Sequence, residues 1–409
     1  MEQSFIAFLE DSIKKNWDLD ALTDYKGATL QYKDVARKIE KLHIIFELSG
    51  IKQGDKIAVC GRNSSHWGVT FLAAVTYGAV IVPILHEFKS DNIHNIVNHS
   101  EARLLMVGDM VWENLNENAM PLLEGVILMN DYTLLVSRSS KLDYARDHLN
   151  ELFGKKYPRN FRREHVSYRR DTPEELAVIN YTSGTTGFSK GVMLTGNNLA
   201  GNVMYGIELG VLYRGERELC FLPLAHAYSC AFNFLVPMAV GAHVYLLGKV
   251  PSPKILLKAF EEVKPNLILT VPLILEKIYK KMILPQLSKT TMKVALNIPL
   301  LDSRIYAQIR KKLVDAFGGR FREVIVGGAA MNEEVTNFLY KIKFPFTIGY
   351  GMTECGPLIS YDHNDEYVPG SCGQILKGIM KVRIDSEDPY NKVGEIQVSG
   401  ENVMKGYYK

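Results

Sequence analysis

The chain has 409 residues, of which 47% are hydrophobic and 23% are charged, and its formal net charge is +3. This length exceeds one average domain and can bury a large core, and the composition is ordinary for a soluble globular protein. The small net charge gives no reason to expect nucleic-acid binding, and five scattered cysteines argue against a disulfide framework or a metal site.

The N-terminal sequence and the apolar runs of the chain predict no secretion or membrane-spanning segment. The N-terminus has no basic region followed by a long apolar core, so no signal peptide is predicted. No uninterrupted apolar run approaches the ~20 residues that span a bilayer. We therefore expect a cytoplasmic protein with reduced, buried thiols, and peripheral membrane contact stays open.

Helical and strand-like segments alternate along the first half of the chain. Val35, Ile39, Leu42 and Phe46 recur at helical spacing, and Gly50 is placed to end that helix. The following segments are predicted in order: strand 56–60, helix 67–77, strand 80–83, helix 92–98, strand 104–107 and a buried strand 176–179.

The second half of the chain continues the pattern and then changes. Further strands are predicted at 220–222, 243–247, 267–271 and 323–326, with helices between several of them. This alternation indicates an α/β architecture with largely parallel sheets and helices on both faces. From about Val368 onward, glycines and short runs such as 380–384 and 395–398 predict a small antiparallel sheet or barrel.

A basic stretch precedes the buried strand at 176–179. Seven lysines and arginines fall within 155–170, and the favoured interpretation is a solvated loop. The alternative is attraction of a polyanionic ligand or an anionic membrane surface.

The most informative segment is the run from Tyr181 to Gly191, YTSGTTGFSKG, which follows a predicted buried strand. Its glycines let the backbone turn tightly and present N–H groups to an anion, while its hydroxyls and Lys190 add donors and positive charge. A flexible linker is a weak alternative, because linkers seldom follow a buried strand directly. The nucleoside-triphosphatase loop is also excluded, because Lys190 does not directly follow a glycine.

This run resembles the phosphate loop of the adenylate-forming superfamily, which includes acyl-CoA synthetases, peptide-synthetase adenylation domains and firefly luciferase. The resemblance implies that the loop holds the phosphates of ATP. The residues carried over to that role are Thr182, Ser183, Gly184, Thr185, Thr186, Gly187 and Lys190.

A second motif, Thr347 to Glu354, stands some 160 residues later in the order typical of the family. The resemblance implies that Tyr350 offers an aromatic face to adenine and that Thr353 offers a hydroxyl to the α-phosphate. Glu354 would bind Mg²⁺, with Thr182 as a second candidate ligand. Gly349, Gly351 and Met352 belong to the same predicted nucleotide site, and the plain alternative is a glycine-flanked turn with a surface glutamate.

The segment Gly327-Gly328-Ala329 ends a predicted strand, where nucleotide sites of open α/β sheets commonly lie. The family resemblance implies a backbone edge on which adenine stacks, and a tight strand–helix turn is the structural alternative.

His226 follows Leu222-Pro223-Leu224. A lone histidine is usually structural, but in the family a histidine or aromatic residue at this point sits beside the activated carboxylate. Peptide-synthetase domains typically carry an aspartate just beyond it, and none occurs between Phe221 and Gly248. A buried ammonium without a counter-ion is costly, so activation of an amino acid is disfavoured.

The resemblance spans nearly the whole chain and ends at Lys409, where the family continues with a Thr-Gly-Asp segment, a hinge and a mobile lid domain carrying a lysine. We therefore expect an N-terminal adenylation domain without its lid and, on its own, of little activity. The implied fold is α/β, with two packed αβ subdomains over about 1–355 and a small β-barrel-like part over about 356–409.

The resemblance implies ATP-dependent activation of a carboxylate to acyl-AMP, followed by transfer to a thiol. ATP, Mg²⁺ and coenzyme A are the implied cofactors, and a medium or long fatty acid is the favoured substrate, held beside Tyr228, Cys230, Phe232 and the Val326-Gly327 strand end. Two enzymatic alternatives are an acyl-AMP ligase that serves a carrier protein and a ligase for aryl or other carboxylates. A nucleotide-binding module without catalysis is the non-enzymatic alternative. Oligomer formation and acyl chain length stay open.

Overall fold

The computed structural model describes residues 4–182 and 189–409. The strands before the phosphate-loop run are β1 (Asp20–Asp24), β2 (Thr29–Gln31), β3 (Lys56–Cys60), β4 (Val80–Ile84), β5 (Ala102–Val107), β6 (Gly125–Leu128), β7 (Leu134–Ser137) and β8 (Leu176–Thr182). The strands after it are β9 (Lys190–Thr195), β10 (Arg217–Cys220), β11 (His243–Leu246), β12 (Ile268–Thr270), β13 (Val324–Val326), β14 (Phe346–Ile348), β15 (Tyr350–Gly351), β16 (Leu358–Tyr361), β17 (Gln374–Ile375), β18 (Met380–Asp385), β19 (Glu395–Gly400) and β20 (Gly406–Tyr408).

Helices separate most of these strands. Before β8 they are α1 (Phe5–Lys15), α2 (Tyr32–Leu48), α3 (Ser65–Tyr77), α4 (Ser90–His99), α5 (Asp109–Trp112), α6 (Ser140–Asp147) and α7 (Leu149–Lys156). After β9 they are α8 (Gly196–Glu208), α9 (Ala227–Ser229), α10 (Val236–Val240), α11 (Pro253–Val263), α12 (Pro272–Ile278), α13 (Leu284–Leu287), α14 (Thr290–Ala295), α15 (Leu301–Ala316) and α16 (Glu333–Lys341), with π-helical turns at Cys230–Leu235 and Tyr279–Ile283.

The largest sheet has the order β20-β9-β8-β4-β3-β5-β6-β7 among the described strands. Its centre, from β8 to β6, is parallel, whereas β7 at one edge and β9 and β20 at the other are antiparallel. Side chains alternate between two cores: Ile57 and Val59 of β3 join one cluster, and Ala58 and Cys60 join the other. Because both faces are covered, the central strands have the continuous apolar sequences from which they were predicted.

Two smaller sheets continue the architecture, and their strand pairs are parallel except for the antiparallel pair β1-β2. One sheet has the order β10-β11-β1-β2 and the other β12-β13-β14, and a parallel bridge between Glu218 and Leu267 joins them. The predicted α/β fold is therefore confirmed, with mainly parallel sheets carrying helices. The division into subdomains at about residue 355 stays a prediction.

One predicted strand is displaced. The segment 220–222 was expected to be extended in a sheet, but β10 ends at Cys220. Asn63 explains the early exit, because its side-chain amide donates to the Leu222 carbonyl at 2.8 Å and its carbonyl accepts from Leu224 N–H at 2.9 Å. A side chain thus replaces the neighbouring strand as hydrogen-bond partner.

The β-rich end of the chain forms two small antiparallel sheets, β15-β16-β17 and β18-β19, and no closed barrel is made by the described strands. The last strand, β20, returns to the largest sheet and pairs antiparallel with β9, with Tyr407 opposite Val192. This return was not predicted from the sequence, and it brings the end of the chain beside the phosphate-loop run.

The basic stretch is mostly neutralised by ion pairs, which favours the structural interpretation of it. Arg169 contacts Glu175 at 2.6 Å, and Arg170 and Lys156 contact the nearly buried carboxylates of Glu10 and Glu40 at 2.9 and 2.6 Å. In the described part of the chain, no helix has both the length and the apolar character needed to cross a membrane. The five cysteines are unpaired, and four are buried; the exposed one is Cys372.

Candidate active site

The phosphate-loop run connects the two strands of an antiparallel hairpin. Strands β8 and β9 pair so that Thr182 lies opposite Lys190, which places both predicted ligands at the open end of the hairpin. The intervening predicted ligands, Ser183, Gly184, Thr185, Thr186 and Gly187, lie outside the described residues.

Tyr407 connects the two predicted motifs. The ammonium of Lys190 lies over the Tyr407 ring, 5.2 Å from its centroid, and the Tyr407 hydroxyl donates to Glu354 Oε1 at 2.8 Å. This bond raises the pKa of Tyr407, because the neighbouring carboxylate disfavours a phenolate. Lys190 and Glu354 therefore contact the same aromatic side chain, one over the ring face and the other at the hydroxyl, although more than 160 residues separate them in the chain.

Two asparagines of α8 fix the backbone around Glu354. Asn202 is fully buried; its amide donates to the carbonyls of Asn198 and Cys355 at 3.0 and 3.3 Å, and its carbonyl accepts from Leu358 N–H at 3.0 Å. Asn198 donates to the carbonyls of Glu401 and Val403 at 2.8 and 3.0 Å. Helix α8, which follows the hairpin, is therefore hydrogen-bonded both to the turn containing Glu354 and to the segment leading to Tyr407.

The predicted adenine edge lies at the carboxyl ends of a parallel sheet. Gly327 N–H donates to the Thr270 carbonyl at 3.1 Å and Gly349 N–H to the Val326 carbonyl at 3.0 Å, so neighbouring strand ends are held together. A Cβ on Gly327 would stand 3.2 Å from the Tyr228 ring. A glycine at this position therefore lets the backbone approach the ring closely.

A cavity of about 630 Å³ opens beside these strand ends. Its lining includes Gly327, Gly328 and His226 together with 349–353, whereas Ala329 is exposed outside the lining residues. The cavity therefore brings the predicted adenine edge, the second motif and the predicted carboxylate-side histidine to one space.

His226 presents an exposed side chain to this cavity from the start of α9. Enclosure by the cavity walls lowers its pKa, and the carboxylate of Glu87 offsets part of that effect. Tyr228 also lines the cavity and donates its hydroxyl to the Ile325 carbonyl at 3.0 Å. Cys230 and Phe232, which were predicted to line the acyl pocket, are buried in the core and do not line this cavity.

Comparison with known proteins agrees with this arrangement. The family model described as AMP-binding enzyme matches residues 9–408. The chain belongs to the AMP-binding enzyme family. The resemblance read from the two motifs is thereby confirmed.

The relatives of this AMP-binding enzyme include proteins named as fatty-acid ligases. "Long-chain-fatty-acid--CoA ligase 5" of Rattus norvegicus is 27% identical, covering 93% of this chain and 59% of its own length. "Long-chain-fatty-acid--CoA ligase ACSBG2" of Homo sapiens is 26% identical, covering 98% of this chain and 63% of its own length. The chain thus spans about three fifths of these relatives. The solved structure of a long-chain-fatty-acid-CoA ligase (FadD1) from Archaeoglobus fulgidus shares the fold, with a TM-score of 0.75, 20% identity and coverage of 100% of this chain and 77% of that one.

The candidate Mg²⁺ ligands of this AMP-binding enzyme could bind the ion only if substrate phosphates supplied further ligands. Within residues 4–182 and 189–409, no group of three or more His, Cys, Asp or Glu side chains is arranged to hold a metal ion. Glu354 supplies one partly exposed carboxylate whose Oε2 accepts no hydrogen bond from the described residues. Mg²⁺ commonly takes one or two carboxylates and completes its shell with substrate phosphates and water, which this site accommodates.

A buried polar group beneath the cavity was missed by sequence reasoning. Glu218 on β10 is fully buried; its Oε1 accepts from the Asn233 amide at 2.6 Å, and its Oε2 has no hydrogen-bond partner among the described residues. Asn233 also accepts from Ser229, a cavity-lining residue, at 3.1 Å, and it lies in a π-helical turn. A glutamate flanked by Arg217 and Leu219 gives no sequence signal of such burial.

Replacing Glu218 with Gln is expected to stabilise the protein increasingly as the pH rises. Burial raises the pKa of Glu218 well above its usual range, so the folded state holds a proton that the unfolded state releases. The free energy of unfolding of wild type therefore falls as the pH rises from the pKa of the unfolded state towards that of the folded state. The total loss is about 1.4 kcal/mol for each unit by which the folded pKa exceeds the unfolded one, and the variant has no such loss because Gln does not titrate. Urea unfolding at about pH 5 and about pH 8 measures the widening gap.

The matched control is Glu261→Gln, which removes an exposed carboxylate from α11. This control should follow the wild-type pH profile. A Glu218→Gln profile parallel to wild type would mean that the buried carboxyl does not carry the proton.

Proposed function

We propose that this protein activates a fatty acid with ATP and transfers the acyl group to coenzyme A. A carboxylate oxygen attacks the α-phosphorus, the bond from that phosphorus to the bridging oxygen breaks, and pyrophosphate leaves. The thiol sulfur of coenzyme A then attacks the acyl carbon, the thiol loses its proton, and AMP departs. The protein's part in the first step is to position the reactants and to neutralise charge.

The observation that carries the proposal is the meeting of Lys190 and Glu354 across Tyr407 beside the cavity. A single triphosphate with Mg²⁺ needs a cation and a carboxylate close together, and these two side chains share one aromatic neighbour at 5.2 and 2.8 Å. Thr353, next to Glu354, lines the cavity and gives the α-phosphate a nearby hydroxyl.

The charge of the cavity supports an anionic substrate. Its described lining contains three cations, Arg62, Lys249 and Lys277, and one carboxylate, Glu87. Excess positive charge in a concave site raises the local concentration of anions such as carboxylates and phosphates.

The apolar residues of the same cavity support a hydrocarbon chain. They come from the segment after β10, from the 247–251 loop and from α12, and burying such surface contributes about 25 cal/mol per Å². The apolar side chains concerned are Phe221, Leu222, Leu247, Val250, Leu273 and Ile274. The names of the rat and human relatives, which specify long-chain fatty acids, support the same substrate class.

Individual roles follow from position. Tyr350 and the 327–328 backbone would flank the adenine, Lys190 and the hairpin hydroxyls would hold the departing phosphates, and His226 would lie beside the reacting carboxylate. Mg²⁺ held by Glu354, with Thr182 as a second ligand, would offset charge on the phosphates when bound.

The test is acid-dependent release of pyrophosphate from ATP, measured on this chain joined to the lid domain that the family resemblance implies, because the chain alone is expected to have little activity. We expect release with medium- and long-chain fatty acids, less with aryl acids and least with acetate, and thioester formation when coenzyme A is added. Calorimetry with ATP provides the control, because it separates failure to bind nucleotide from failure to activate the acid. ATP binding without any acid-dependent pyrophosphate release would contradict the proposal, and release without transfer to coenzyme A would restrict it to the first step.

A further inference from the structure

A second concave site lies on the outer face of α2, and it shares no lining residue with the nucleotide cavity. We call it the α2 pocket. Its volume is about 580 Å³, within the range of small-molecule sites. The charged side chains that line it are Arg37, Lys38, Lys41, Arg146, Asp34 and Asp131.

The cations of the α2 pocket are poorly neutralised. Lys38, Lys41 and Arg146 are half-buried, yet none of them lies within 4.0 Å of a carboxylate in residues 4–182 and 189–409. Arg37 reaches Asp34 only at 3.7 Å. Half-buried cations without a partner are unusual, because desolvation normally requires compensation by an opposite charge.

The two carboxylates of the pocket are occupied by backbone groups. Asp34 Oδ2 accepts from Gln31 N–H at 3.0 Å, and Asp131 Oδ1 accepts from Thr133 N–H at 2.9 Å. The pocket lining thus contains four cations and two carboxylates that already serve the local fold. A net positive charge is left facing the concave surface.

The directions in which the lysine pKa values are shifted agree with this excess of positive charge. Burial lowers the pKa of Lys41, and Arg37 and Arg146 lower it further by repulsion. Burial also lowers the pKa of Lys38, with a further contribution from Lys41, and the carboxylate of Asp34 offsets only part of these effects. A bound anion would reverse these effects, because an opposite charge nearby favours the protonated lysine.

Neutral groups complete the lining around these cations. Lys38 Nζ lies 3.4 Å from His66 Nε2 and 5.6 Å from the centre of the Tyr132 ring. Lys41 donates to Asn150 Oδ1 at 2.9 Å, and Arg146 donates to the Tyr132 carbonyl. These contacts hold the charged ends in place around the pocket without neutralising them.

The basic stretch 155–170 provides an internal contrast. The sequence makes that stretch a candidate for anion binding, but its principal cations are ion-paired with carboxylates such as Glu10, Glu40 and Glu175. Three of the four cations of the α2 pocket, Arg37, Lys38 and Lys41, lie on α2, where carboxylates are interspersed with them in the sequence, and Arg146 is brought beside them from α6. The fold therefore concentrates uncompensated positive charge at a place that the sequence does not mark.

We propose that the α2 pocket is an anion site that binds a phosphate group, either as free phosphate or as the headgroup of a phospholipid. Lysine ammonium groups bind phosphate as point charges, and Arg37 and Arg146 add further donors. The lipid and the free form share this chemistry, and the experiment distinguishes them.

The experiment compares wild type with Lys38→Gln/Lys41→Gln and with the control Lys15→Gln/Lys155→Gln. The control removes the same charge from exposed lysines that pair with Asp11 and Glu151 on their own helices. Inorganic phosphate is titrated by calorimetry, and vesicles of phosphatidylcholine with and without phosphatidic acid are tested by co-sedimentation. We expect at least about tenfold weaker binding in the pocket variant and no change in the control, since a charge-assisted hydrogen bond is worth roughly one decade of affinity or more.

Each outcome decides the proposal. Loss confined to inorganic phosphate supports free phosphate as the ligand, and loss confined to phosphatidic acid vesicles supports the headgroup. Equal binding of both probes by the pocket variant and wild type would overturn the proposal. Phosphate bound at the nucleotide cavity does not affect the result, because both proteins retain that cavity. The pocket variant should also unfold at the same or higher temperature than wild type, since repulsion between the cations is relieved, so misfolding does not explain a loss.

Discussion

Replacing Glu354 with Gln, or Lys190 with Ala, is expected to lower acid-dependent pyrophosphate release by about 10²–10³-fold. Both side chains end beside Tyr407 at the mouth of the hairpin and are partly or fully exposed, so their proposed partners are the ligand and its metal rather than the core. Loss of one charged group at the phosphates removes stabilisation that is strongest when negative charge develops. Single-turnover pyrophosphate release with a saturating fatty acid measures the effect.

The controls for this pair are Glu366→Gln and Lys392→Ala, which remove equal charges from exposed positions. They should leave the rate unchanged. Tyr407→Phe tests the hydrogen bond between Tyr407 and Glu354 separately, because it keeps the ring below Lys190 and removes only the hydroxyl bound to Glu354. Near-wild-type release by Glu354→Gln, with unchanged thermal unfolding, would be incompatible with the proposed metal-binding role.

The convergence of the two motifs has a structural cause. Strand β20 pairs with β9 so that Tyr407 lies opposite Val192, just beyond Lys190 along the same strand. Met404 N–H donates to the Glu354 carbonyl and Lys405 N–H to the Met193 carbonyl, at 2.8 and 2.9 Å. A short segment near the end of the chain therefore connects the hairpin to the Glu354 turn through its own backbone.

Patterns with a local physical cause were predicted well from the sequence. Strand β3 has the predicted bounds, and α2, α3 and α4 each contain the predicted helical segment, because periodic burial and terminal signals are local properties. The long, specific motifs likewise predicted the family. Their residues are chemically demanding, and coincidence of two such motifs in order is improbable.

Long-range features were not predictable in this way. The pairing of β20 with β9, the burial of Glu218 and the hydrogen bonds of Asn202 depend on segments that lie far apart in the chain. The residues predicted to hold the fatty acid were likewise predicted only in part. Tyr228 lines the cavity while Cys230 and Phe232 turn into the core, because the helical turn after α9 rotates successive side chains away from the opening.

Replacing Asn202 with Ala is expected to destabilise the fold by ~2–4 kcal/mol and to impair catalysis together. The substitution leaves the Leu358 N–H and the Cys355 carbonyl without their side-chain partner, and an unsatisfied buried polar group costs about 1–3 kcal/mol. Both backbone groups follow Glu354 closely in the chain, at the end of the turn that presents it. Because a small displacement of a catalytic group is costly, pyrophosphate release should fall by at least about tenfold even where the variant is fully folded.

Glu208→Ala, at the exposed end of the same helix, is the matched control and should change neither property. Denaturant unfolding gives the stability change, and release assays well below the unfolding midpoint give the catalytic one. A variant that loses stability but keeps its wild-type rate would show that Asn202 supports the fold without positioning Glu354. Loss of both, with ATP affinity also reduced, is the result expected if α8 couples the hairpin to the Glu354 turn through this one side chain.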